Sequence, residues 1–305
     1  MSGAAEGLKR KISTAGDLKG VVRAMKALAV SSIGQYERSV VALTDYSRTL
    51  ELALSAALRD RGPLPKLGPL RRVRHATVGA IVFGSDQGLV GRFNEEVVDF
   101  AVEALRGLPG KTKRVWAVGQ RAHALLSETG IPLAGILALP ASVAAIAPLV
   151  GQILVEVQAA IEKGEVENVW LFHNCPRAGA SYESVKRRLL PLDDAWLKRM
   201  ASIPWPTKHP PEVIEGPTPA LPSFLRGYIF VLLFQACAES LASENASRLA
   251  AMQRAEKNID DMLVGLNRDY QHTRQEMIDE ELFDVISGYE ALSGRQRVTA
   301  QDGQH

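Results

Sequence analysis

Cysteine is almost absent from this sequence, because only Cys175 and Cys237 occur among its 305 residues. They stand far apart and form no CxxC pattern, so they predict neither a disulfide framework nor a zinc site. The six histidines are isolated too, since no two of them lie within four residues of each other. We therefore expect a protein of a reducing compartment that carries no metal and no cofactor.

Net charge is also nearly absent. The chain has 36 Lys and Arg residues against 34 Asp and Glu residues, which leaves a formal charge of +2. Such a balance provides no general field that attracts nucleic acid or an anionic membrane, so no nucleic-acid partner is expected. The first residues show neither an apolar run nor an Arg/Ser-rich transit segment, and we expect a cytoplasmic protein without a targeting signal.

Charged side chains are missing altogether from residues 129–155, a stretch long enough to cross a bilayer. Prolines and glycines interrupt it repeatedly and would break an isolated spanning helix. The favoured interpretation is a loop, a strand and a helix buried in an α/β core, with no direct insertion into lipid. The interrupting residues are Pro132, Pro140, Pro148, Gly130, Gly135 and Gly151.

Both ends of the chain carry heptad-like apolar stripes, which predict two long helices that pair as an antiparallel coiled coil. A helix of such length needs a helical partner, and each end supplies the other's. The N-terminal stripe comprises Leu8, Ile12, Ala15, Leu18, Val22, Met25, Ala29, Ser32, Tyr36, Val40, Leu43, Leu50, Leu54 and Ala57. The C-terminal stripe continues to Met277 and includes the polar residues Gln235, Asn245 and Glu256, interpreted as register-setting or exposed on one side.

The middle of the chain alternates strand-like and helix-like segments, which predicts an inserted doubly wound, mostly parallel α/β domain. Strands are expected at 75–83, 114–118 and 168–173, with an edge strand at 182–190; helices are expected at 93–105, 120–128 and 142–163. The predicted organisation is an N-terminal coiled-coil helix (1–62), the α/β domain (73–202), a Pro-rich connector (203–222), a C-terminal coiled-coil helix (223–288) and a mobile tail (289–305).

The most enzyme-like segment is residues 84–94, GSDQGLVGRFN, between a predicted strand and a predicted helix. It contains neither GxGxxG nor a GK[ST] ending, so a structural turn is favoured over a phosphate-binding loop. His173 with Cys175 suggests a base and a nucleophile. Because strand positions alternate faces and no third, orienting group is identifiable, a buried strand end is the favoured interpretation.

Three segments carry a family resemblance. Residues 8–29, LKRKISTAGDLKGVVRAMKALA, contain an Ala-Met-Lys core at Met25, and residues 240–258 and 270–288 supply a C-terminal signature. The turn resembles the pattern S-D-x-G-L-x-G-x-x-N at Ser85, Asp86, Gly88, Leu89, Gly91 and Asn94. In this order the segments resemble the gamma subunit family of F-type ATP synthases, in a divergent form that suggests an alternative F-type ATPase.

The resemblance implies a non-catalytic rotor shaft that couples ion flow to ATP synthesis or hydrolysis on alpha and beta subunits. It further implies an α/β foot near an epsilon subunit and the membrane c-ring, at the cytoplasmic face of the inner membrane. By position, Arg23, Met25 and Lys26 would face the moving lever of a beta subunit. Catch loops around the shaft would meet Arg274, Gln275 and Asp279.

Two alternatives remain open at this stage. A coiled-coil scaffold or adaptor keeps the two end helices but has no motor, and a small nucleotide-dependent enzyme uses the α/β segment. Fold alone does not decide between them, because many folds carry unrelated functions.

Overall fold

The computed structural model describes residues 2–60, 77–110, 112–177, 181–192, 194–209, 211 and 217–301. The first residues of the strand predicted at 75–83 lie outside this part of the chain. The described chain divides into two compact units. One consists of Met1–Lys26 with Met252–His305, and the other of Ala27–Ala251.

Two long helices come from the chain ends, as predicted: α1 spans Ser2–Asp60 and α6 spans Pro217–Gln301. A heptad stripe runs along α1, because six of its buried residues recur at intervals of seven or fourteen, as expected of a coiled-coil seam. These are Ala15, Val22, Ala29, Tyr36, Leu50 and Ala57.

The predicted N-terminal stripe is wrong at one position, Leu18. Leu18 is 53% exposed, whereas the neighbouring Lys19 side chain is only 22% exposed and forms an ion pair with Asp260 of α6. A seam of period 3.5 alternates steps of three and four residues, and here the step after Ala15 is four. The seam position that the apolar pattern assigned to Leu18 is therefore occupied by Lys19, which pairs with Asp260.

The second long helix starts earlier than predicted. Helix α6 begins at Pro217 and contains Pro222, which the sequence had placed in the connector. Pro222 is the sixth residue of this helix, so its missing N–H costs one backbone hydrogen bond, to the carbonyl of residue 218, and the helix continues without it. At the other end the helix backbone continues past Gly288 to Gln301, while the mobility of residues 289–305 stays a prediction.

The α/β domain forms a five-stranded sheet of order β3-β2-β1-β4-β5, in which the first four strands are parallel and β5 is antiparallel to β4. The predicted doubly wound, mostly parallel class is confirmed. The strands are β1 Val78–Phe83, β2 Lys113–Val118, β3 Leu133–Leu137, β4 Asn168–Arg177 and β5 Ser181–Leu190; the helices are α2 Phe93–Gly107, α3 Gln120–Ser127, α4 Ile146–Glu162 and α5 Asp194–Ser202.

Helices cover both faces of the sheet, as alternating inward side chains of β1 require. Helices α2 and α3 pack on the face that carries Val78, Ala80 and Val82. Helix α4 and the middle of α6 pack on the opposite face, around Ile81 and Phe83. Below the sheet, α5 joins the end of α1 and the start of α6 in a third apolar cluster, in which the Trp196 indole donates to the Tyr228 hydroxyl at 3.1 Å.

The uncharged stretch 129–155 forms β3 and most of α4, which matches the favoured interpretation of a strand and a helix in the α/β core. Helix α4 buries Ile146, Leu149, Val150, Ile153, Val157 and Ala160 in this core. Length and hydropathy alone would allow two segments, Val143–Glu162 and Ala220–Ser287, to cross a membrane. The apolar composition of α4 is explained by the side chains that it buries in this core.

Candidate functional site

The turn at residues 84–94 is closed by its own hydrogen bonds. The backbone N–H of Ser85 donates to Asn94 Oδ1 at 2.8 Å, and Asn94 Nδ2 donates back to Ser85 Oγ at 2.8 Å. Both residues are buried, and the Ser85 hydroxyl in turn donates to the carbonyl of Gln87 at 2.7 Å. This pair explains why serine and asparagine stand nine residues apart across the loop.

The outer residues of the turn are exposed and have a different role. The Asp86 carboxylate accepts the backbone N–H of Gln120 at 2.9 Å, at the first residue of α3. A carboxylate at a helix start is favourable because it accepts an otherwise unpaired N–H. Leu89 and Gly91 adopt positive φ angles of 63° and 58°, and Leu89 and Gly88 face solvent. The turn therefore joins β1, α2 and α3.

Gly84 marks the closest approach in this turn. A Cβ atom built there would lie 2.3 Å from the Ala122 Cβ and 2.9 Å from Asn94 Oδ1. We expect Gly84→Ala to lower the free energy of unfolding by about 1–3 kcal/mol, as for other overpacked interiors. Urea unfolding followed by circular dichroism measures this loss. Gly107→Ala is the matched control, because a Cβ at Gly107 meets nothing within 4 Å; a loss as large there would contradict the explanation.

Helix α6 covers the place where doubly wound folds bind ligands. The strand order reverses between β1 and β4, and ligands of such folds bind beyond the carboxyl ends of the strands at this point. Here the Ser243 hydroxyl donates to the carbonyl of Asn174 at 3.1 Å, and the Ser247 hydroxyl donates to the carbonyl of Val90. The crevice is filled by a helix of the same chain, which disfavours a nucleotide site there.

Glu239, a buried carboxylate on the same face of α6, pairs with His173 of β4. Glu239 Oε2 is 2.8 Å from His173 Nε2, and Gln235 donates to Glu239 Oε1 at 2.6 Å. Burial acts to raise the pKa of the Glu239 carboxyl, but the hydrogen bond and charge of His173, together with Gln235, bring that pKa below its ordinary value. A carboxylate anchored to β4 in this way fixes α6 on the sheet.

His173 and Cys175 do share a strand face, contrary to the expectation from the sequence. Positions two apart in a strand point the same way, and both side chains lie beside Glu239. Burial, followed by the nearby Glu239 carboxylate, raises the pKa of the Cys175 thiol to about 11. A thiol with that pKa stays protonated near neutral pH and is a poor nucleophile, so the favoured interpretation as a buried strand end agrees with the structure.

The Ala-Met-Lys segment lies in a ladder of ion pairs between α1 and α6. Arg23 Nε donates to Glu256 Oε1 at 2.8 Å, and Lys26 Nζ donates to Glu256 Oε2 at 2.6 Å. Hydrogen bonds from Lys26 and then Arg23 lower the pKa of the Glu256 carboxyl to about 2. Met25 lies between them, partly buried. Glu256, a polar member of the predicted stripe, thus sets the register of the two helices.

Residues 278–286 of α6 present an exposed apolar stripe. Arg274, Gln275 and Asp279 are exposed, and they lie within one to two turns of this stripe. Positions three and four residues before Ile278 share its helix face, so Arg274 and Gln275 border the stripe directly. Its members are Ile278, Leu282, Val285 and Ile286, with Phe283 beside them, and each is at least 47% exposed.

The structure therefore places the predicted residues at three separate positions: the turn, the ion-pair ladder and the exposed end of α6. Sequence reasoning missed the anchors Glu239, Ser243 and Ser247. Their spacing of four residues puts them on one face of a helix, within an otherwise apolar segment, and that polar face was the available signal. It was not interpreted because their partners are distant along the chain.

Known proteins resemble this chain along nearly its whole length. A profile of the ATP synthase family matches residues 4–292. Two relatives named ATP synthase gamma chain are those of Polynucleobacter asymbioticus, 25% identical over 93% of this chain and 98% of the relative, and Xanthomonas oryzae pv. oryzae, 26% identical over 96% and 100%.

Among solved structures, the chain is similar to one from the Euglena gracilis mitochondrial ATP synthase rotor, with a TM-score of 0.62 and 17% identity, covering 91% of this chain and 100% of that one. A second Euglena gracilis structure, of the OSCP/F1/c-ring assembly, gives a TM-score of 0.66 at 16% identity, covering 96% and 95%. At these identities the likeness concerns the fold.

Proposed function

This chain belongs to the ATP synthase family, and from that premise we propose that it works as the central rotor shaft, the gamma subunit, of an F-type ATP synthase. In that role it couples ion translocation to ATP synthesis or hydrolysis at sites on other subunits. One observation carries the proposal most: the antiparallel helix pair of the unit formed by Met1–Lys26 and Met252–His305 carries an exposed apolar stripe at residues 278–286.

The helix pair has the stiffness that a shaft requires. Ala15 and Val22 of α1 are buried, as are Met252 and Ile259 of α6, and ion pairs flank this seam. Interlocked side chains resist sliding of one helix past the other, because any shift breaks many contacts at once. Torque applied to one helix is therefore carried by both.

The exposed end of α6 supports a surrounding partner. An apolar stripe of this kind is unfavourable in water and marks an interaction surface. Helical spacing of i, i+4, i+7 and i+8 puts Ile278, Leu282, Val285 and Ile286 on one face. We propose that this face turns within the ring of alpha and beta subunits, and that Arg274, Gln275 and Asp279 meet catch loops there.

The remaining assignments follow from the same role. We propose that Arg23, Met25 and Lys26 face the lever of a beta subunit, and that the α/β domain contacts an epsilon subunit and the c-ring at the cytoplasmic face of the inner membrane. The subunit is proposed to be non-catalytic. The filling of the sheet's switch point by Ser243 and Ser247 supports this over the alternative of a nucleotide-dependent enzyme.

Replacing Arg274 and Gln275 together by alanine tests the rotor role against a scaffold role. We expect the rate of ATP-driven ion uptake to fall about tenfold, which corresponds to ~1.4 kcal/mol of activation free energy, because contacts that hold the turning face are removed. The measurement uses the assembled complex in vesicles, with dyes for both protons and sodium. A scaffold would show no change in coupling.

The matched control replaces Arg268 and Gln271 by alanine. These residues have the same side-chain types and are also exposed on α6, but they precede the apolar stripe. Their loss should leave coupling within twofold of the unaltered complex, since exposed charges contribute only about 0–1 kcal/mol. An equal loss of coupling in the two double variants would contradict the rotor assignment. Failure of the chain to assemble with alpha and beta subunits would contradict it as well.

A further inference from the structure

Glu256 binds two cations of α1 at once. Each of its carboxylate oxygens accepts one hydrogen bond, from Arg23 Nε at 2.8 Å and from Lys26 Nζ at 2.6 Å. The Glu256 side chain is only 16% exposed, whereas the Arg23 side chain is 61% exposed. The carboxylate is therefore enclosed by its partners, while the guanidinium reaches into solvent.

The way in which Arg23 is held leaves the four N–H donors of its two terminal nitrogens available. Its recorded hydrogen bond, within the part of the chain that the structure describes, uses Nε, and the two terminal nitrogens form the opposite edge of the guanidinium. Because the group is planar and rigid, holding Nε fixes the direction of that edge. Two parallel N–H groups in this geometry match the two oxygens of a carboxylate.

Charge complementarity points to the same ligand. Arg23 and Lys26 together carry two positive charges, and Glu256 neutralises one of them. Asp260, the next acidic residue near Arg23, is already paired with Lys19. The cluster around Glu256 therefore retains one net positive charge on an exposed face of the coil, which suits one acidic side chain of a partner.

We propose that Glu256 is a positioning residue, which orients the Arg23 guanidinium so that its outer edge binds a carboxylate of a surrounding subunit. The inference rests on the proposed rotor function, since it requires a partner protein around this part of the coil. It adds to that function a residue of α6 that acts through Arg23, and it assigns an acidic side chain as the partner group.

The Lys19–Asp260 pair provides a matched control in the same coil. It also joins α1 to α6 by an ion pair, one turn away from Glu256. Replacing Asp260 by asparagine removes an interhelical charge pair while leaving the hydrogen bond between Arg23 and Glu256 in place. Any effect on coil stability should therefore appear in Asp260→Asn and Glu256→Gln alike, whereas an effect on the orientation of Arg23 should appear only in Glu256→Gln.

The experiment measures coupled turnover of the assembled complex at several salt concentrations. We expect Glu256→Gln and Arg23→Lys each to reduce turnover three- to tenfold at low salt and to flatten its salt dependence, because lysine keeps the charge but lacks the planar edge. The double variant should be no slower than Arg23→Lys alone, since Glu256 acts through Arg23. Asp260→Asn should remain within twofold of the unaltered complex.

Three results would overturn the inference while leaving the rotor function in place. One is equal loss in Glu256→Gln and Asp260→Asn, with matching losses of helix melting temperature, which would assign Glu256 to coil stability only. The second is additive loss in the double variant, and the third is unchanged turnover in Glu256→Gln. If the unaltered chain itself does not assemble with alpha and beta subunits, the rotor proposal fails and this inference fails with it.

Discussion

Replacing Asn94 by leucine is expected to lower the free energy of unfolding by about 2–4 kcal/mol, because the buried Ser85 N–H loses its acceptor and the Ser85 hydroxyl loses one of its two partners. The Ser85 N–H and hydroxyl each bond to the Asn94 amide at 2.8 Å. An unsatisfied buried group costs about 1–3 kcal/mol, and leucine has the same branched arrangement of heavy atoms but no polar atom. The loss is a large fraction of the roughly 5–15 kcal/mol that stabilises most domains.

Urea unfolding of the isolated chain, followed by circular dichroism and by tryptophan fluorescence, measures this change. Leu89→Gly is the matched control in the same turn: Leu89 is exposed and has a φ of 63°, which glycine adopts without strain. We expect Leu89→Gly to be neutral or slightly stabilising. An Asn94→Leu variant as stable as the unaltered chain would show that the Ser85 pair does not hold the turn.

The coiled-coil part of the fold was predictable from the sequence because one physical signal controls it. A heptad stripe must face a partner helix, and residues such as Val22 and Ile259 fulfil that expectation directly. Leu18 is the exception, because it is exposed. Apolar pattern alone does not distinguish a buried leucine from a lysine whose stem packs on the seam while its head group meets Asp260.

The α/β domain was predictable in class but not in every boundary. Alternating strands and helices implied a parallel sheet, and the edge strand β5 was expected at nearly its observed position. The start of α6 was missed because Pro222 was interpreted as the end of the connector, whereas the helix includes this proline and lacks one backbone hydrogen bond there. Helix α5 was missed as well, since its burial depends on Tyr228 and other residues of the end helices.

The contacts of the candidate site could be predicted only where residues close to each other in the sequence form them. Ser85 and Asn94 lie nine residues apart, and their pattern indicated a structural turn. His173 and Glu239 are 66 residues apart, and Ser247 and Val90 are 157 apart. No local pattern reports such contacts, because they arise only when α6 packs across the sheet. The same holds for Glu256, whose two partners lie on the other long helix.

Replacing Leu282 and Ile286 together by aspartate is expected to weaken binding of the chain to the alpha and beta ring by about 100- to 10,000-fold. Both residues are exposed on the apolar stripe of α6, at 58% and 47%. Burying each large aliphatic side chain contributes about 1.5–3 kcal/mol, so that removing both costs roughly 3–6 kcal/mol of binding. Two added carboxylates oppose burial further, because a charge without a partner is strongly disfavoured in an apolar surface.

Titration of labelled chain into isolated alpha and beta subunits measures the affinity, and unfolding of the free chain provides the first check. Neither residue is buried in the free chain, so its free energy of unfolding should change by less than about 0.5 kcal/mol. Glu280→Gln with Asp284→Asn is the matched control, because these residues lie on the opposite face of the same turns. We expect that pair to leave affinity within threefold. If the stripe variant bound as tightly as the unaltered chain, the exposed end of α6 would not be the surface that turns within the ring, and the bearing would have to lie elsewhere along the coil.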